Sequence, residues 1–274
     1  MRTMSPSNSQ PQLMENSMAF LRRCASFAAL MAVSGGAYAQ VSSINSAFVN
    51  TRAFNDIPSA TFSGVTNYPT SISFSESGVS AASGFANRDQ WQFSNNGGSS
   101  GYLFQNGDYF HVSLDLTLTG SPITPRKEAG FLFNTVNHGD LQFIVNTDGH
   151  EIVQFGGIGF FSFTAGPTPL LPAYNSGTKV TLGMTYFLDG NGRNALIFTA
   201  NGVDSPVQEF GVGDGIGNGS TLGGYFQIVN DSANPSNAGS ALFENISITA
   251  VPEPSVFALF GLGIISLCLR RRQA

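Results

Sequence analysis

Alternation by two dominates the chain between residues 108 and 249. Phe110, Val112, Leu114, Leu116 and Leu118 fall on one face of an extended segment, and His111, Ser113, Asp115, Thr117 and Thr119 on the other. A strand turns successive side chains to opposite faces, so this pattern predicts a half-buried strand over 110–119. The same spacing groups Leu141, Phe143 and Val145, and it groups Val180, Leu182, Met184, Tyr186 and Leu188. Shorter runs at 128–134, 151–155, 158–164, 194–200, 221–229 and 241–249 are predicted as further strands. Asp148-Gly149, Asp189-Gly190-Asn191-Gly192 and Asn201-Gly202 punctuate them. Such dipeptides tolerate the positive φ of tight hairpins. No stretch repeats apolar residues at helical spacing with caps at both ends. Many strands with short polar turns predict an all-β antiparallel sandwich or barrel. With no repeat of 20–50 residues and no linker, residues 40–250 are expected to form one β-sandwich domain.

The two ends break the pattern. Residues 18–39 begin MAFLRR, continue through a small apolar stretch from Cys24 to Gly36, and end in Ala37-Tyr38-Ala39 before Gln40. A basic start, an apolar middle and an A-x-A site form the layout of a secretory signal peptide, with cleavage expected between Ala39 and Gln40. Residues 1–39 are thus an N-terminal extension plus signal peptide, and signal peptidase and the export machinery are implied partners. At the other end, Val251-Pro252-Glu253-Pro254 precedes the apolar run 255–269 and then Arg270-Arg271-Arg272. The run is shorter than the roughly 20 residues of an ordinary span. The arginines favour a short transmembrane helix with its tail inside and the body outside.

This V-P-E-P segment, apolar helix and R-R-R-x-A tail resemble the PEP-CTERM sorting signal over residues 251–274. The resemblance implies export in a Gram-negative bacterium that makes exopolysaccharide, and biofilm or cell-surface location. It also implies an exosortase that recognises the tail and cuts near Pro252-Glu253-Pro254. The sorting residues it points to are Val251, Pro252, Glu253, Pro254, Arg270, Arg271 and Arg272.

Charge sharpens the picture of the body. Residues 40–250 hold six Lys and Arg against fifteen Asp and Glu, a formal charge of −9. So few cations cannot neutralise a phosphate backbone, which argues against nucleic acid as a partner. The two cysteines, Cys24 and Cys268, both lie in the end segments. The body therefore has no disulfide, thiolate nucleophile or cysteine metal site.

The order of segments from about 89 to 249 resembles the concanavalin A-like lectin/glucanase jelly roll. The pieces that carry this are DYFHVSLDLTLTG (108–120), EAGFLFNT (128–135), DLQFIVNTDGHEIVQF (140–155), KVTLGMTYFLDGNGRNALIFTANG (179–202), LGGYFQIV (222–229) and ALFENISIT (241–249). Glucanases of that fold carry E-x-D-x-E, which places acids on one strand face; here no two acids stand at i, i+2. Glu128, Asp140, Glu151 and Glu244 stay open as acids that neighbouring strands could bring together, since glycosidases need about 5–9 Å between carboxyls.

The remaining motifs carry less chemistry. Gly97-Gly98-Ser99-Ser100-Gly101 matches G-x-S-x-G but lies in a Gly/Ser/Asn turn rather than between a strand and a helix. His138 and His150 flank a strand spanning roughly 26 Å and cannot share a metal. Asp189-x-Asn191-x-Arg193 begins like a calcium loop, then puts a cation where an oxygen belongs. Asp214 and Asn218, in 211–220, are the remaining calcium candidates; no other cofactor is implied. Trp91, Tyr102, Tyr109, Tyr174 and Tyr225 are the large aromatics that could stack on sugars, but such residues ordinarily fill β-sandwich cores. The sequence is read as an exported, non-catalytic cell-surface or matrix protein with a glycan- or exopolysaccharide-binding face. A secreted polysaccharide-active hydrolase and a purely structural matrix protein stay open beside it.

Overall fold

The computed structural model describes residues 41–251. The segment read as a signal peptide, with Ala37, Ala39 and Gln40, the apolar run 255–269 and the sorting residues from Pro252 onward lie outside the described residues. Among those described, no helix is long and apolar enough to cross a membrane.

Among the described residues a 3-10 turn, Val41–Ser43, precedes fifteen strands. They are β1 (Ser46–Asn55), β2 (Thr61–Asn67), β3 (Ser71–Ser77), β4 (Ala86–Ser94), β5 (Phe110–Ser121), β6 (Lys127–Thr135), β7 (Gly139–Asn146) and β8 (Ile152–Gly156). There follow β9 (Phe161–Ser162), β10 (Lys179–Leu188), β11 (Asn194–Ala200), β12 (Val203–Asp204), β13 (Gln208–Glu209), β14 (Thr221–Val229) and β15 (Ala238–Ala250). One sheet runs β1-β4-β14-β6-β7-β8-β9 and the other β12-β11-β10-β5-β15-β3-β2, with β13 also on β11. All pairs are antiparallel. This is an all-β sandwich of two antiparallel sheets, as the strand pattern predicts.

The two last long strands sit in the middle of the two sheets. β14 lies between β4 and β6, and β15 between β5 and β3. Neither sheet closes until the C-terminal fifth of the body is in place.

Strand alternation builds the core directly. Phe110, Val112, Leu114, Leu116 and Leu118 of β5 are all buried. They meet the inward residues of the opposite sheet, with Phe110 5.8 Å from Phe133 between ring centroids. Further along, Trp91 of β4 meets Phe243 of β15 edge-on at 5.9 Å, and Phe143 of β7 meets Phe198 of β11 at 5.3 Å. Edge-to-face pairs of this kind add to the stabilisation that burial gives.

Two expectations change. The run 158–164 yields only the two-residue β9, with turn and loop on either side of it. The segment 46–94, where the sequence pattern singles out no strand, supplies four. No residue of β1 or β2 is fully buried, and their sequences lack the apolar alternation of β5. The turns hold as expected. Asn201 and Gly202 both take positive φ, 48° and 78°, between β11 and β12. Asp189 Oδ1 accepts from the N–H groups of Asn191 and Arg193 at 2.8 and 2.7 Å, which closes the β10–β11 hairpin.

Candidate functional site

In the seven-stranded sheet the residues that alternate with the core point to the opposite face. On β4, Asp89, Trp91 and Phe93 turn inward, which leaves Arg88, Gln90 and Gln92 outside. On β14 the outward set is Thr221, Gly223, Tyr225 and Gln227. On β6 it is Glu128, Gly130, Leu132 and Asn134, and on β7 Asp140, Gln142, Ile144 and Asn146.

Strand register assembles these into rows across the sheet. Arg88 pairs Gln227, which pairs Glu128, which pairs Asn146. The next row reads Gln90, Tyr225, Gly130, Ile144 and Val153, and the one after it Gln92, Gly223, Leu132, Gln142 and Phe155. A fourth joins Thr221, Asn134 and Asp140. The middle of this face is apolar: Leu132, Ile144, Val153 and Tyr225 form a small buried cluster with Phe155 against it. Amide, hydroxyl and charged side chains surround that floor.

Gly130 stands directly beside Tyr225 in the register and contributes no side chain there. The Tyr225 hydroxyl reaches Glu128 Oε1 at 3.1 Å and also contacts the Gln142 side-chain oxygen closely. One hydroxyl proton serves one acceptor. The consistent assignment has Tyr225 donating to Glu128 and the Gln142 amide turned so that its NH₂ donates to the phenol oxygen. Gln227 Nε2 donates to the same Glu128 oxygen at 3.1 Å, and Arg88 Nε donates to Gln227 Oε1 at 2.8 Å. The other Glu128 oxygen lies 3.6 Å from Arg126, which also pairs with Asp148 at 2.9 Å and Glu151 at 3.6 Å.

Burial pushes the Glu128 carboxyl above its usual range, against the pull of Arg126 and the Tyr225 hydrogen bond. Burial, and then the Glu128 charge, hold the Tyr225 phenol well above its ordinary value. Tyr225 is therefore a fixed hydrogen-bond donor rather than a phenolate base. At the far end, Thr221 Oγ1 accepts from Gln92 and Asn134, both at 3.2 Å.

The acids held open as catalytic pairs do not converge alike. Glu128 and Asp140 share this face, but Asp140 lies opposite Asn134, six residues along β6 from Glu128. That is roughly 20 Å at strand rise, far beyond a glycosidase pair. Glu151 flanks Arg126 with Glu128 and accepts from Asn146 at 2.7 Å. Glu244 is on the other sheet, paired with Lys179 at 2.7 Å.

The calcium candidates are each held by protein donors. Asp214 accepts from the Gly215 N–H at 2.7 Å and Asn137 at 3.0 Å, and it pairs with His138 at 2.9 Å. The Gly215 N–H first, with Asn137 and His138, holds its carboxyl below the usual range. Asn218 accepts from the Asn106 N–H at 3.0 Å. Among the described residues no group of three or more His, Cys, Asp or Glu gathers as a metal site. His150 turns to the Tyr174 carbonyl at 2.9 Å and stays apart from His138. Ser99 lies in a turn organised by Asn96, whose Oδ1 accepts from the N–H groups of Ser99 and Ser100, each at 3.1 Å.

Of the aromatics, Trp91 is in the core and Tyr174 is buried, its hydroxyl bonded to the Leu118 N–H at 2.9 Å. Only Tyr225 belongs to the outward face. Arg88, Gln90, Gln92, Gln142 and Gln227 are not apparent as site residues from the sequence. The R-D-Q-W-Q-F alternation of 88–93 is the signal that points to the first three.

The family of the PEP-CTERM protein-sorting motif matches residues 250–272. The chain carries that motif. Val251, its one described residue from the V-P-E-P segment, donates its N–H to the Tyr109 carbonyl at 3.0 Å, where the sandwich ends. No curated protein matches the chain. Among solved structures, an alginate lyase from Corynebacterium sp. superposes with a TM-score of 0.47 at 14% identity, covering 75% of this chain and 94% of its own. The carbohydrate-binding module CBM66 from Bacillus subtilis gives 0.40 at 10% identity, covering 75% and 98%.

Proposed function

We propose that the protein is exported, sorted by its C-terminal motif and processed by an exosortase, and that its body binds an extracellular polysaccharide without cleaving it. On this reading residues 1–39 are removed, residues 40–250 are the working domain and residues 251–274 are the address. The observation that carries the binding role is the outward face of the seven-stranded sheet. Arg88, Gln90, Gln92, Asn134, Gln142 and Gln227 stand in register beside the apolar floor around Tyr225. The amides donate to and accept from hydroxyls, and the Arg88 guanidinium donates to them.

Binding rather than cleavage is favoured by the state of the central acid. Glu128 is tied to Tyr225, Gln227 and Arg126, which leaves it poorly placed to give or take a proton from a substrate. The test is a polysaccharide panel offered to the full chain purified in detergent. Retention of a polysaccharide that keeps its chain length supports the proposal, and Arg88→Ala should weaken retention. Shortening of the polysaccharide would establish the hydrolytic reading instead. No retention across the panel would leave a structural matrix role.

A further inference from the structure

Arg52 stands within the break in the β1–β4 register, between Asn50 and Phe54, with a φ of 56°. Its side chain turns off the edge strand toward the other sheet. Nε pairs with Glu76 Oε1 of β3 at 2.7 Å. The guanidinium also donates to Asn55 Oδ1 at 2.8 Å, to the Ala60 carbonyl at 2.7 Å and to the Ile57 carbonyl at 3.3 Å. The Arg52 backbone N–H donates to Asp89 Oδ1 of β4 at 2.7 Å. One residue of one edge thus ties both sheets to the segment 56–60 that crosses between them.

The two acids it joins are buried, Asp89 with 0% and Glu76 with 2% of its surface in solvent. Asp89 faces Glu76, and its Oδ2 is buried without a hydrogen-bond donor. Asn87 donates to Glu76 Oε2 at 2.7 Å and bonds both backbone groups of Ile57. Two carboxyls thus confront one guanidinium. With both ionised, one buried negative charge lacks a partner, which is a costly arrangement. A proton held between the acids removes that charge and supplies the donor that Asp89 Oδ2 lacks. Burial pushes both carboxyls above their usual range, in keeping with this.

The strands packed on the pair bring no further charge against it in register. Glu76 stands between Phe62 of β2 and Gly239 of β15, and Asp89 stands between Phe226 of β14 and the break in β1. Lys127, whose stem lies by Gly239, gives its ammonium to the Pro122 and Pro125 carbonyls at 2.7 and 2.8 Å. Asp56 accepts from the Phe85 N–H at 2.8 Å. Arg52 is the cation that serves both acids. β1 has little else to hold it, since no residue of it is fully buried and β4 is its one partner strand.

We infer that Glu76 and Asp89 share one proton and form with Arg52 a latch that holds β1 and the segment 56–60 on the sandwich and releases them as the medium turns alkaline. Loss of the proton leaves the excess charge buried. Parting β1 from β4 hydrates it, and the least firmly held edge is the element that opens first. The latch lies next to the outward face, because β1 pairs Asn50 with Gln90 and Phe54 with Arg88. Through these pairs pH reaches the border of that face.

The test is hydrogen exchange of the full chain in detergent at about pH 6 and about pH 8.5, with rates corrected for the intrinsic effect of pH. Protection of 46–60 should fall on the alkaline side, by up to about tenfold per pH unit for one proton, while the β5 amides keep theirs. Glu76→Gln offers Asp89 a permanent donor and should keep 46–60 protected at both pH values. It should also remove a protonated-carboxyl infrared band present in the wild type on the acid side, which a merely structural role would not produce. If Glu76→Gln does not fold, Asp89→Asn carries the test, since it leaves one carboxylate for one guanidinium. Equal protection of 46–60 in the wild type at the two pH values would overturn the inference. So would alkaline loosening that persists undiminished in the folded variant.

Discussion

Arg88 holds its guanidinium over the ring of Tyr225, 5.0 Å from the ring centroid, while its Nε donates to Gln227. The cation is thus placed by one neighbour's amide and the other's π face. Both neighbours in turn donate to Glu128. The four side chains act as one unit, and removing any of them disturbs the rest.

Tyr225→Phe tests that unit. The ring and its packing stay, but Glu128 loses a donor in a buried setting. The expected loss is about 1–3 kcal/mol, the cost of leaving a buried polar partner short of a hydrogen bond. Urea unfolding measures it. A change below about 0.5 kcal/mol, the usual scatter of surface substitutions, would mean that water already serves Glu128.

Gly224 is the complementary case on the core side of the same strand. A Cβ there would lie 2.4 Å from Trp91 Nε1 and 3.0 Å from Phe243 Cε1. Gly224→Ala should therefore destabilise by about 1–3 kcal/mol through overpacking. The emission of the single tryptophan should shift with it. Combining it with Trp91→Phe should recover part of the loss, because the smaller ring vacates the clash. A fully additive double variant would show that the strain lies elsewhere.

What the sequence makes legible follows from which surfaces are half-buried. β5 faces the core on one side and solvent on the other, so its alternation is plain from 110 to 119. β6 and β14 are buried on both faces, and their strings read as continuous burial. Tyr225 and Leu132 therefore look like core residues in sequence, although they floor an outward face. β1 and β2 fail in the opposite sense, since they are edge strands that bury little. Register, which unites Arg88, Gln227 and Glu128 from three distant segments, has no local sequence signal at all. The apolar and basic tail is the reverse, since its order along the chain is itself the signal.

Stability should depend on pH through Glu76. Its carboxyl lies between the sheets beside Asp89, with Asn87 donating to it at 2.7 Å. Burial, and then the neighbouring Asp89, raise it from 4.5 to about 7, against Asn87 and Arg52. An acid that holds its proton longer in the folded state contributes stability below pH 4.5, and that contribution fades as pH rises through 7. Thermal midpoints should show this group's loss between about pH 4.5 and 7. Glu76→Gln keeps an acceptor for Asn87 and can donate to Asp89, so its profile should be flatter over that window. An equally steep profile in the variant would remove Glu76 as the cause.

Processing of the tail is predicted to stop at the border of the sandwich. β15 ends at Ala250 and the Val251 N–H is bonded to Tyr109, so the fold holds the chain up to the residue before Pro252. Pro252 and Pro254 have no N–H to donate and disfavour helix in the residue before each. The V-P-E-P segment is thus the first stretch past the sandwich that can enter a protease cleft without unfolding a strand. The apolar run 255–269 would span about 22 Å as a helix, short of the roughly 30 Å hydrocarbon core. Arg270, Arg271 and Arg272 would hold it at the cytoplasmic side, which draws V-P-E-P toward the outer surface of the membrane. Replacing Pro252, Glu253 and Pro254 by alanine should leave an uncut precursor in the membrane fraction, with the sandwich folded. Mass spectrometry of the surface-located wild-type protein should find its C-terminus within 252–254. Peptides containing Arg270 from that mature form would mean that the tail is a permanent anchor.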